Sequence, residues 1–551
     1  MSALSFLEHV FAQLRASAGR PVIQEIRGAS AASVTGAELL AQVRAARGYL
    51  RRAGVRPGER CALLAQNSIR WAALDLALMA EGVIVVPLYS RQAPAELAAM
   101  MRDCAPRLAF CGDAALARGI ESAWPDAPRC VLLDEVFAGQ GEPETIPDEP
   151  ASRSAADLVA IIYTSGTSGE PKGVCLNVAN LNHMLGCTTE RLDQLMGGAT
   201  SPAQPDRIFH YLPWNFAGSW ILLLSALLRP SLLSLSTDLN RLADEIHLAA
   251  PHYFQNVPTL LERVRRGVEE NIARRGGIGR AIFTRASAAW KRGGTGGLWL
   301  WLARALVFPK IRARFGPNLK ALVCGSAPLA PETQRCFLML GIPVLQAYGL
   351  TETTGICTMD DPREPADPGF VGPAIPGIEM KLGEHEELLV RGPNVFPGYW
   401  NRPAETARVL YDGWFHTGDQ GEANARGNWR ITGRLKNLII LNSGHNIAPE
   451  PIEEKFIHLL PAAQHVVLVG NGRGYLTVLV TGAVDEAAVR AALDAVNPEL
   501  PHYRQVRGFT ILRETFAIEN GLLTVNGKLR RGAIAARFAV QINETYQRKA
   551  P

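Results

Sequence analysis

An eleven-residue stretch, "YTSGTSGEPKG" (163–173), concentrates residues that can bind an anion. It holds three glycines, four Ser or Thr hydroxyls and one lysine. Glycines let backbone amides approach an anion closely, and hydroxyls with an ammonium group complete a phosphate cradle. An exposed surface loop can have the same composition. Composition alone therefore leaves both interpretations open, a phosphate-binding loop and a plain surface loop.

The Walker phosphate loop is the first comparison for this stretch, and the sequence does not fit it. That motif requires Gly-Lys-Ser/Thr at the start of a helix. Here Lys172 follows Pro171 and precedes Gly173, so the helix geometry and the magnesium-binding hydroxyl are both missing. A glycine-rich kinase loop fits no better. We expect the stretch to handle nucleotide phosphates in another way.

The elements that must position this loop follow an alternating pattern. Short apolar runs at 60–66, 82–89, 107–112 and 130–134 predict buried strands, and residues 36–54 predict a crossover helix. This alternation indicates α/β architecture with largely parallel sheets. The run "DLVAIIY" (157–163) places the glycine-rich stretch on the loop after a strand.

The chain changes character near Arg434. Beyond it lie two strand-like runs, "AQHVVLVG" and "GYLTVLVTG", and one helical pattern, "DEAAVRAALDAV". A unit of about a hundred residues is large enough to fold independently. We predict a large N-terminal domain over 1–433 and a small α+β domain over 434–551.

Composition excludes several classes of protein. Among 551 residues, 57 Lys and Arg against 52 Asp and Glu give a net charge of +5, too mild for a general nucleic-acid binder. Nine cysteines form no C-x-x-C pair, which indicates reduced thiols. Glu8 and Arg15 interrupt any signal-peptide apolar block, and no apolar run reaches transmembrane length. We expect a cytoplasmic protein.

Six further motifs follow the glycine-rich stretch in order: "GSAPL" (325–329), "QAYGLTETTG" (346–355), "GYWNRPAET" (398–406), "DGWFHTGD" (412–419), "GRLKNLIILNSGHNIAPEPIE" (433–453) and "NGKLRR" (526–531). With these motifs the sequence resembles the adenylate-forming, AMP-binding enzymes from Ile161 to Arg531. It is most similar to long-chain fatty acyl-CoA synthetases. The resemblance implies a large domain of layered α/β subdomains with a small β-barrel-like part, and a small mobile α+β domain that turns about a hinge near Lys436.

The activity implied by the resemblance has two steps and uses ATP, Mg²⁺ and coenzyme A. A carboxylate attacks the α-phosphorus of ATP to give acyl-AMP and pyrophosphate, and a thiol then displaces AMP. Because two anions meet in the first step, fixed cations and Mg²⁺ must neutralise the charge that develops.

The resemblance assigns the nucleotide contacts residue by residue. Tyr348 offers an aromatic face to adenine, Thr351 a hydroxyl to the α-phosphate, and Glu352 a carboxylate to Mg²⁺. Asp419 accepts hydrogen bonds from the ribose hydroxyls, and Arg434 contacts the ribose or a phosphate. The β- and γ-phosphates are assigned to the loop residues Thr164, Ser165, Gly166, Thr167, Ser168, Gly169 and Lys172.

The resemblance also assigns the reacting groups and the acceptor path. Lys528 places an ammonium group on the oxygens of the forming bond, and Gly444, with His445 beside it, lines the pantetheine tunnel. Gly325 and Ala327 line adenine and the acyl chain, and Phe216 and Gly349 line the acyl pocket. Without the motifs, each of these residues would pass for a core residue, a turn or a solvated side chain.

Three positions depart from the family pattern. Thr259 stands where Arg is usual, Phe216 stands where His is common, and "GVCLNVANL" lacks the usual Thr-His pair after the phosphate loop. The first two changes concern the acyl pocket rather than the nucleotide site. The acid is therefore less defined than the chemistry, and an aryl acid is the alternative to a medium- or long-chain fatty acid.

Residues 271–315 are strongly basic and contain ten Lys or Arg and no Asp or Glu. An apolar run with Trp299 and Trp301 lies inside this segment. Basic residues around such a run can dock on an anionic membrane surface, which would make the protein peripheral at the inner membrane surface. The alternatives are a core helix with a solvated basic margin, or a dock for an acidic acyl carrier protein.

Two acceptors for the acyl group remain open. The Gly444 signature favours CoA and a ligase that makes acyl-CoA. The alternative is an acyl-AMP ligase that loads an acyl carrier protein. A non-catalytic scaffold is disfavoured because the expected catalytic positions are filled.

Overall fold

The computed structural model describes residues 5–138, 146–165, 171–201, 203–275, 277–294, 296–524 and 527–547. The chain forms two compact units. The large unit comprises Met1–Met380, Val390–Phe415 and Asn424–Trp429, and the small unit comprises Lys381–Leu389, His416–Ala423 and Arg430–Pro551.

Twenty-four strands are numbered in chain order over the described residues. They are β1 Pro21–Arg27, β2 Ser30–Thr35, β3 Arg60–Leu64, β4 Ile84–Pro87, β5 Leu108–Cys111, β6 Cys130–Leu132, β7 Leu158–Ser165, β8 Pro171–Asn177, β9 Asp206–His210, β10 Ser231–Leu235, β11 Tyr253–Asn256, β12 Ala321–Cys324, β13 Val344–Tyr348, β14 Thr358–Met359, β15 Glu379–Leu382, β16 Glu387–Arg391, β17 Leu410–Tyr411, β18 Trp414–Ala423, β19 Trp429–Arg434, β20 Ile439–Ile440, β21 Asn446–Ile447, β22 Ala463–Val469, β23 Leu476–Gly482 and β24 Val506–Leu512.

Nineteen α-helices are numbered in the same way over the described residues. They are α1 Phe6–Ala16, α2 Gly36–Arg52, α3 Ile69–Ala80, α4 Pro94–Cys104, α5 Ala114–Ala123, α6 Leu133–Ala138, α7 Val178–Met196, α8 Ala217–Leu227, α9 Leu242–Ala249, α10 Pro258–Arg275, α11 Gly277–Lys291, α12 Leu298–Leu306, α13 Phe308–Arg312, α14 Pro331–Met339, α15 Pro403–Val409, α16 Glu450–Leu459, α17 Glu486–Val496, α18 Arg531–Arg537 and α19 Ala539–Gln547.

A six-stranded sheet of the large unit carries the base of the glycine-rich loop. Its order is β6-β5-β3-β4-β7-β8, and only β8 runs antiparallel to its neighbour. The four predicted strands before residue 135 are confirmed. The last of them ends at Leu132, two residues earlier than predicted, because α6 begins at Leu133 with Asp134 and Glu135 in its first turn, where acidic residues favour a helix start.

An eight-stranded sheet forms the other large layer of this unit. Its order is β14-β13-β12-β11-β9-β10-β1-β2, with parallel pairs throughout except the antiparallel edge strands β14 and β2. The carboxyl ends of β9, β11, β12 and β13 therefore point the same way. Side chains that follow these strands come together at one edge of the sheet.

Helix starts follow local chemistry where the sequence supplies it. The predicted helix at 36–54 is confirmed as α2, and its Thr35 and Glu38 form a reciprocal capping box. Ser5 and Glu8 do the same for α1. The helices α3 and α8 are buried along nearly all their length, as expected of apolar helices inside a layered domain.

The small unit contains a three-stranded sheet and four helices among its described residues. Strand β23 pairs antiparallel with β22 and parallel with β24. One core joins this sheet to α16 and α17, and a second joins it to α18 and α19. The two strands and the helix predicted beyond Arg434 are confirmed as β22, β23 and α17.

The short strands β15–β19 account for the small β part that the resemblance implied. The division into units runs through all of them except β17, which lies in the large unit and pairs antiparallel with the start of β18. Among the described helices, none has both the length and the hydropathy needed to cross a membrane.

Candidate active site

The predicted phosphate loop joins β7 and β8, which form an antiparallel hairpin in the large unit. Thr164 pairs with Lys172 and Ser165 with Pro171 at its open end. The central loop residues predicted to hold phosphate, Gly166, Thr167, Ser168 and Gly169, lie outside the described residues. The structure thus describes the base from which the loop leaves the sheet.

Lys172 is held at this base by two neighbours. Its ammonium group forms an ion pair with Glu405 of α15 and lies 5.3 Å from the ring centre of Tyr399. The Lys172 ammonium holds the pKa of Glu405 below its usual value. An ammonium group that is already oriented can take up an incoming phosphate by exchanging its partner.

Glu352, the predicted magnesium ligand, shares Tyr399 with this lysine. The Tyr399 hydroxyl donates to Glu352 Oε1 at 2.8 Å, and the Phe396 amide donates to the Glu352 carbonyl at 2.8 Å. Burial and the Glu352 charge raise the pKa of Tyr399, so this hydroxyl stays a donor. The carboxylate is fixed by a neutral group, and its negative charge is not cancelled by that partner.

This arrangement fits Mg²⁺ that arrives with a nucleotide. The part of the chain that the structure describes contains no cluster of three or more His, Cys, Asp or Glu side chains that could hold a metal by itself. Mg²⁺ is commonly held by one or two carboxylates together with substrate phosphates. A single oriented carboxylate such as that of Glu352 suits this mode.

A second group of contacts fixes the segment that carries Tyr399. The Asp103 carboxylate accepts from the Tyr163 hydroxyl at 2.6 Å and pairs with Arg402 at 3.1 Å. The Trp400 indole N–H donates to the Asp103 carbonyl at 3.2 Å, and the Trp400 amide donates to the Gly173 carbonyl at 2.7 Å. The "GYWNRP" motif therefore braces both strands of the hairpin.

The turn after β13 carries Tyr348, Gly349, Thr351 and Glu352. Tyr348 ends the strand, and its carbonyl accepts from the Cys357 amide at 2.7 Å. A Cβ on Gly349 would lie 2.6 Å from the Gly355 carbonyl oxygen, so close packing of the turn requires glycine there. Both Tyr348 and Thr351 are half-buried.

The predicted acyl-pocket residues follow other strands of the same sheet. Gly325 is buried after β12, whereas Ala327 is exposed. Phe216 precedes α8, and its ring stacks on Tyr89 with centres 6.4 Å apart. Gln255, on β11, lies close to Gly218, because a Cβ on this glycine would be 3.3 Å from its amide nitrogen.

The small unit carries the predicted ribose contacts. Asp419, on β18, is only 2% exposed, and its carboxylate accepts from Arg434 Nε at 2.8 Å. The Thr417 hydroxyl donates to the Leu388 carbonyl at 2.8 Å, and the Gly418 amide donates to Glu387 Oε1 at 2.8 Å. The turn before Asp419 is thus tied to β16, and the carboxylate is buried with its cation.

The predicted tunnel residues lie in the small unit, in the turn between β20 and β21. Gly444 has φ of +83° and donates to the Leu441 carbonyl at 2.9 Å, so a side chain there would strain the backbone whatever space surrounds it. The His445 ring stacks on Tyr503 at 4.3 Å, and its Nδ1 lies 2.9 Å from the Ser443 hydroxyl.

Lys528 and Lys436 are both exposed residues of the small unit. Lys436 lies in a single 3₁₀ turn, Leu435–Asn437, directly after Arg434. The Lys528 carbonyl accepts from the Thr524 amide at 2.8 Å, and the Lys528 amide donates to the Thr524 hydroxyl at 3.1 Å. The hinge role of Lys436 stays a prediction.

A buried ion pair anchors the "NGKLRR" motif just beyond Lys528. The Arg531 guanidinium donates to both carboxylate oxygens of Glu453, at 2.7 and 2.5 Å. Glu453 lies on α16 and also accepts from the Leu468 amide of β22 at 2.6 Å. Burial raises the pKa of Glu453 although Arg531 opposes the shift. The second arginine of the motif is structural, whereas the lysine remains at the surface.

Sequence reasoning missed four residues that organise these sites. Tyr399, Glu405 and Asp103 position Lys172 and Glu352, and Glu453 anchors the Lys528 segment. Tyr399 and Glu405 lie in the motif "GYWNRPAET", and Glu453 ends "NSGHNIAPEPIE". The motif boundaries were a usable signal for three of the four, whereas no pattern marks Asp103.

Solved structures share this architecture. MatB from Rhodopseudomonas palustris with ATP bound superposes with a TM-score of 0.74 at 23% identity, over 97% of this chain and 99% of that one. The anthranilate CoA ligase AuaEII in complex with anthranoyl-AMP gives a TM-score of 0.76 at 19% identity, over 98% of each chain. These likenesses establish the fold.

Sequence comparison establishes the family. The AMP-binding enzyme model matches residues 10–400, and the model for the C-terminal domain of AMP-binding enzymes matches residues 436–550. The chain is 29% identical to the long-chain-fatty-acid–CoA ligase FadD15 of Mycobacterium tuberculosis, over 94% of this chain and 92% of that protein. The chain belongs to the AMP-binding enzyme family, which confirms the resemblance found in the sequence.

Proposed function

We propose that this enzyme is an AMP-forming acid–thiol ligase that activates a medium- or long-chain fatty acid with ATP and transfers it to CoA. The observation that carries the adenylation step is the buried Asp419 carboxylate beside Arg434, which is suited to bind a ribose diol. The name of the relative FadD15 supports a fatty acid and CoA as the other substrates.

In the first step the substrate carboxylate attacks the α-phosphorus, the new P–O bond forms, and the bond to pyrophosphate breaks. Lys172 and the loop before it bind the leaving phosphates, and Lys528 neutralises charge on the oxygens around the α-phosphorus. Mg²⁺, when bound, would supply further charge neutralisation on the phosphates. Glu352 would hold it, oriented by Tyr399.

In the second step the thiol of CoA attacks the acyl carbonyl, and AMP leaves with the electrons of the acyl–oxygen bond. Gly444 and His445 are proposed to flank the pantetheine arm. His445 is suited to this role because Ser443 and Tyr503 orient its ring, while the residue itself remains exposed.

The acid is assigned on two grounds that agree. Phe216, where the family often has His, adds apolar surface beside Tyr89, which favours an alkyl chain over a polar acid. The alternative is an aryl acid, and the structure of the anthranilate CoA ligase shares the fold. An acyl carrier protein is the alternative acceptor.

The test is ATP–pyrophosphate exchange with a panel of acids, followed by thioester detection with CoA. We expect exchange with C8 to C18 fatty acids, little with benzoate or anthranilate, and acyl-CoA from each acid that supports exchange. Exchange with aryl acids alone would contradict the proposed substrate. Exchange without any turnover of CoA would favour the carrier-protein acceptor.

A further inference from the structure

Helix α12 has apolar side chains on its exposed side. Leu298 is 63% exposed, Trp301 65% and Leu306 54%. Large apolar residues are seldom grouped at such exposure on a surface that only contacts water. A core helix with a polar margin, one of the alternatives drawn from the sequence, does not describe this outer face.

The inner side of the same helix is anchored in the large unit. Leu300 and Ala303 are fully buried and join a core that includes Phe283 of α11 and Phe308 of α13. The helix is therefore held firmly with Trp301 directed away from its core. The exposed side is not explained by loose packing, since the opposite side of each turn is buried.

Positive charge surrounds this apolar face. The segment 271–315 has ten Lys or Arg and no acidic residue, and Arg285 of α11 stacks on Trp299 of α12 at 4.4 Å. Arg280, Arg292 and Lys310 are exposed on the two helices and their flanks. An apolar centre with a cationic border is complementary to an anionic lipid surface.

A groove of about 500 Å³ opens beside the exposed face. Arg304 of α12 and Arg312 of α13 line it together with apolar side chains that include Phe308, Leu319 and Leu340. Two guanidinium groups above an apolar floor match a phosphate headgroup with acyl chains beneath it. The groove and the face share α12, so one surface presents both features.

We propose that α11–α13 dock the protein on the surface of an anionic lipid bilayer, with Leu298, Trp301 and Leu306 entering the interface and the surrounding Arg and Lys contacting headgroups. The docking is peripheral, since no described helix can cross a membrane. It would bring the enzyme to the phase in which long-chain acids concentrate. An acidic carrier protein is the competing partner, and the exposed Leu and Trp side chains favour lipid.

The experiment is flotation of the full chain with vesicles of phosphatidylcholine alone or with 30% phosphatidylglycerol. We expect binding only to the anionic vesicles and strong weakening between 0.1 and 0.5 M NaCl, because salt screens the headgroup contacts. Trp301→Ser should lower binding about tenfold, since it removes a large apolar side chain from the interface. Each Gln substitution at Arg280, Arg292 or Lys310 should lower it about fivefold.

Matched controls separate docking from general surface effects. Leu298→Ser is compared with Leu459→Ser, a leucine of the small unit that is 48% exposed, and Arg292→Gln with Arg118→Gln, an exposed arginine of α5. The two control variants should bind vesicles like the parent. All four substitutions lie at exposed positions, so the fold should be retained, and circular dichroism checks this.

Equal binding to neutral vesicles would overturn the proposal, as would Leu298→Ser binding no worse than Leu459→Ser. Binding of an acidic acyl carrier protein that Arg292→Gln weakens, with no vesicle binding by the parent, would assign the surface to a carrier protein instead. Flotation needs no ATP and no acid. A failure of the proposed ligase function therefore leaves this test unaffected.

Discussion

Two carboxylates proposed to contact the nucleotide are held in different ways. Asp419, in the small unit, is 2% exposed and has a guanidinium partner at 2.8 Å. Glu352, in the large unit, is half-buried and accepts a hydrogen bond from the neutral Tyr399 hydroxyl at 2.8 Å. A buried charge requires a charged partner, whereas a partly hydrated one does not.

The difference suits different ligands. A carboxylate that binds ribose hydroxyls works as a hydrogen-bond acceptor, so an adjacent cation does not compromise it. A carboxylate that binds Mg²⁺ must keep its charge available, and a neutral donor orients it without neutralising it. The partner of each carboxylate thus indicates the kind of group that it is built to receive.

Lys528→Ala sets the scale on which both carboxylates are measured. We expect acyl-AMP formation to fall about 1,000-fold, because this ammonium acts while the P–O bond forms. Thioester formation from supplied acyl-AMP should stay within a few-fold of the parent. Pyrophosphate exchange and single-turnover thioester assays measure the two steps. An equal fall of both steps in a folded variant would contradict the role.

Asp419→Ala should have the next largest effect. It removes the acceptor for ribose and leaves Arg434 without that partner, so kcat/KM for ATP should fall about 100-fold. The KM for the acid should change little. Asp494→Ala, an exposed position of α17, is the matched control. If Asp419→Ala changed only thermal stability, the pair would be structural and the comparison would fail.

Glu352→Gln should raise the Mg²⁺ concentration for half-maximal exchange about tenfold. Gln keeps the shape and can still accept from Tyr399, but it lacks the charge that a hard cation prefers. A magnesium titration measures the change, with Glu270→Gln on α10 as an exposed control. An unchanged titration would remove Glu352 from the ligands.

Tyr399→Phe sharpens the same point with a smaller effect. The ring that packs 4.8 Å from Phe396 remains, while the hydroxyl that orients Glu352 is lost. We expect the magnesium requirement to rise about threefold. In the double variant with Glu352→Gln, the hydroxyl should add nothing further. Additive effects would show that Tyr399 acts independently of the carboxylate.

Asp75 is a third carboxylate, buried in α3 without the charge compensation that Asp419 has. One oxygen accepts from the Trp220 indole N–H at 2.9 Å, and the other has no hydrogen-bond partner among the described residues. Burial raises the pKa of Asp75 to about 7. The folded state therefore holds a proton that the unfolded chain releases near pH 4.

This residue predicts a pH-dependent stability and the smallest effect on activity. The protonated carboxyl contributes its full stability at low pH, and that contribution is lost as the pH rises through 7. Asn does not titrate, so the midpoint of thermal unfolding of Asp75→Asn should gain on the parent between pH 5 and 8. A difference that stays constant across this range would contradict the raised pKa.

Most strands and helices could be predicted because their patterns are local. The runs at 60–66 and 82–89 are apolar on both faces, as in buried parallel strands, and each became one. The end of β6 was missed because a helix start competes with the apolar run at Leu133. Sheet order was not predicted, since it depends on contacts between residues distant in sequence.

The candidate site was predictable where a single motif carries it. Thr351, Glu352, Asp419 and Lys528 each lie in a recognisable run. Tyr399 and Asp103 are 47 and 60 residues from the side chains they bind, Glu352 and Tyr163, and no local pattern connects them. What holds a functional group is therefore less visible in sequence than the group itself.

The ion pair between Arg531 and Glu453 has a consequence for any shortened form of the chain. Loss of the segment after residue 520 would remove Lys528 and also strip a buried carboxylate of its guanidinium, at a cost of about 3–5 kcal/mol to the small unit. The helices α18 and α19 that complete its second core would go too. A frameshift or premature stop there would produce a protein degraded before its chemistry is tested.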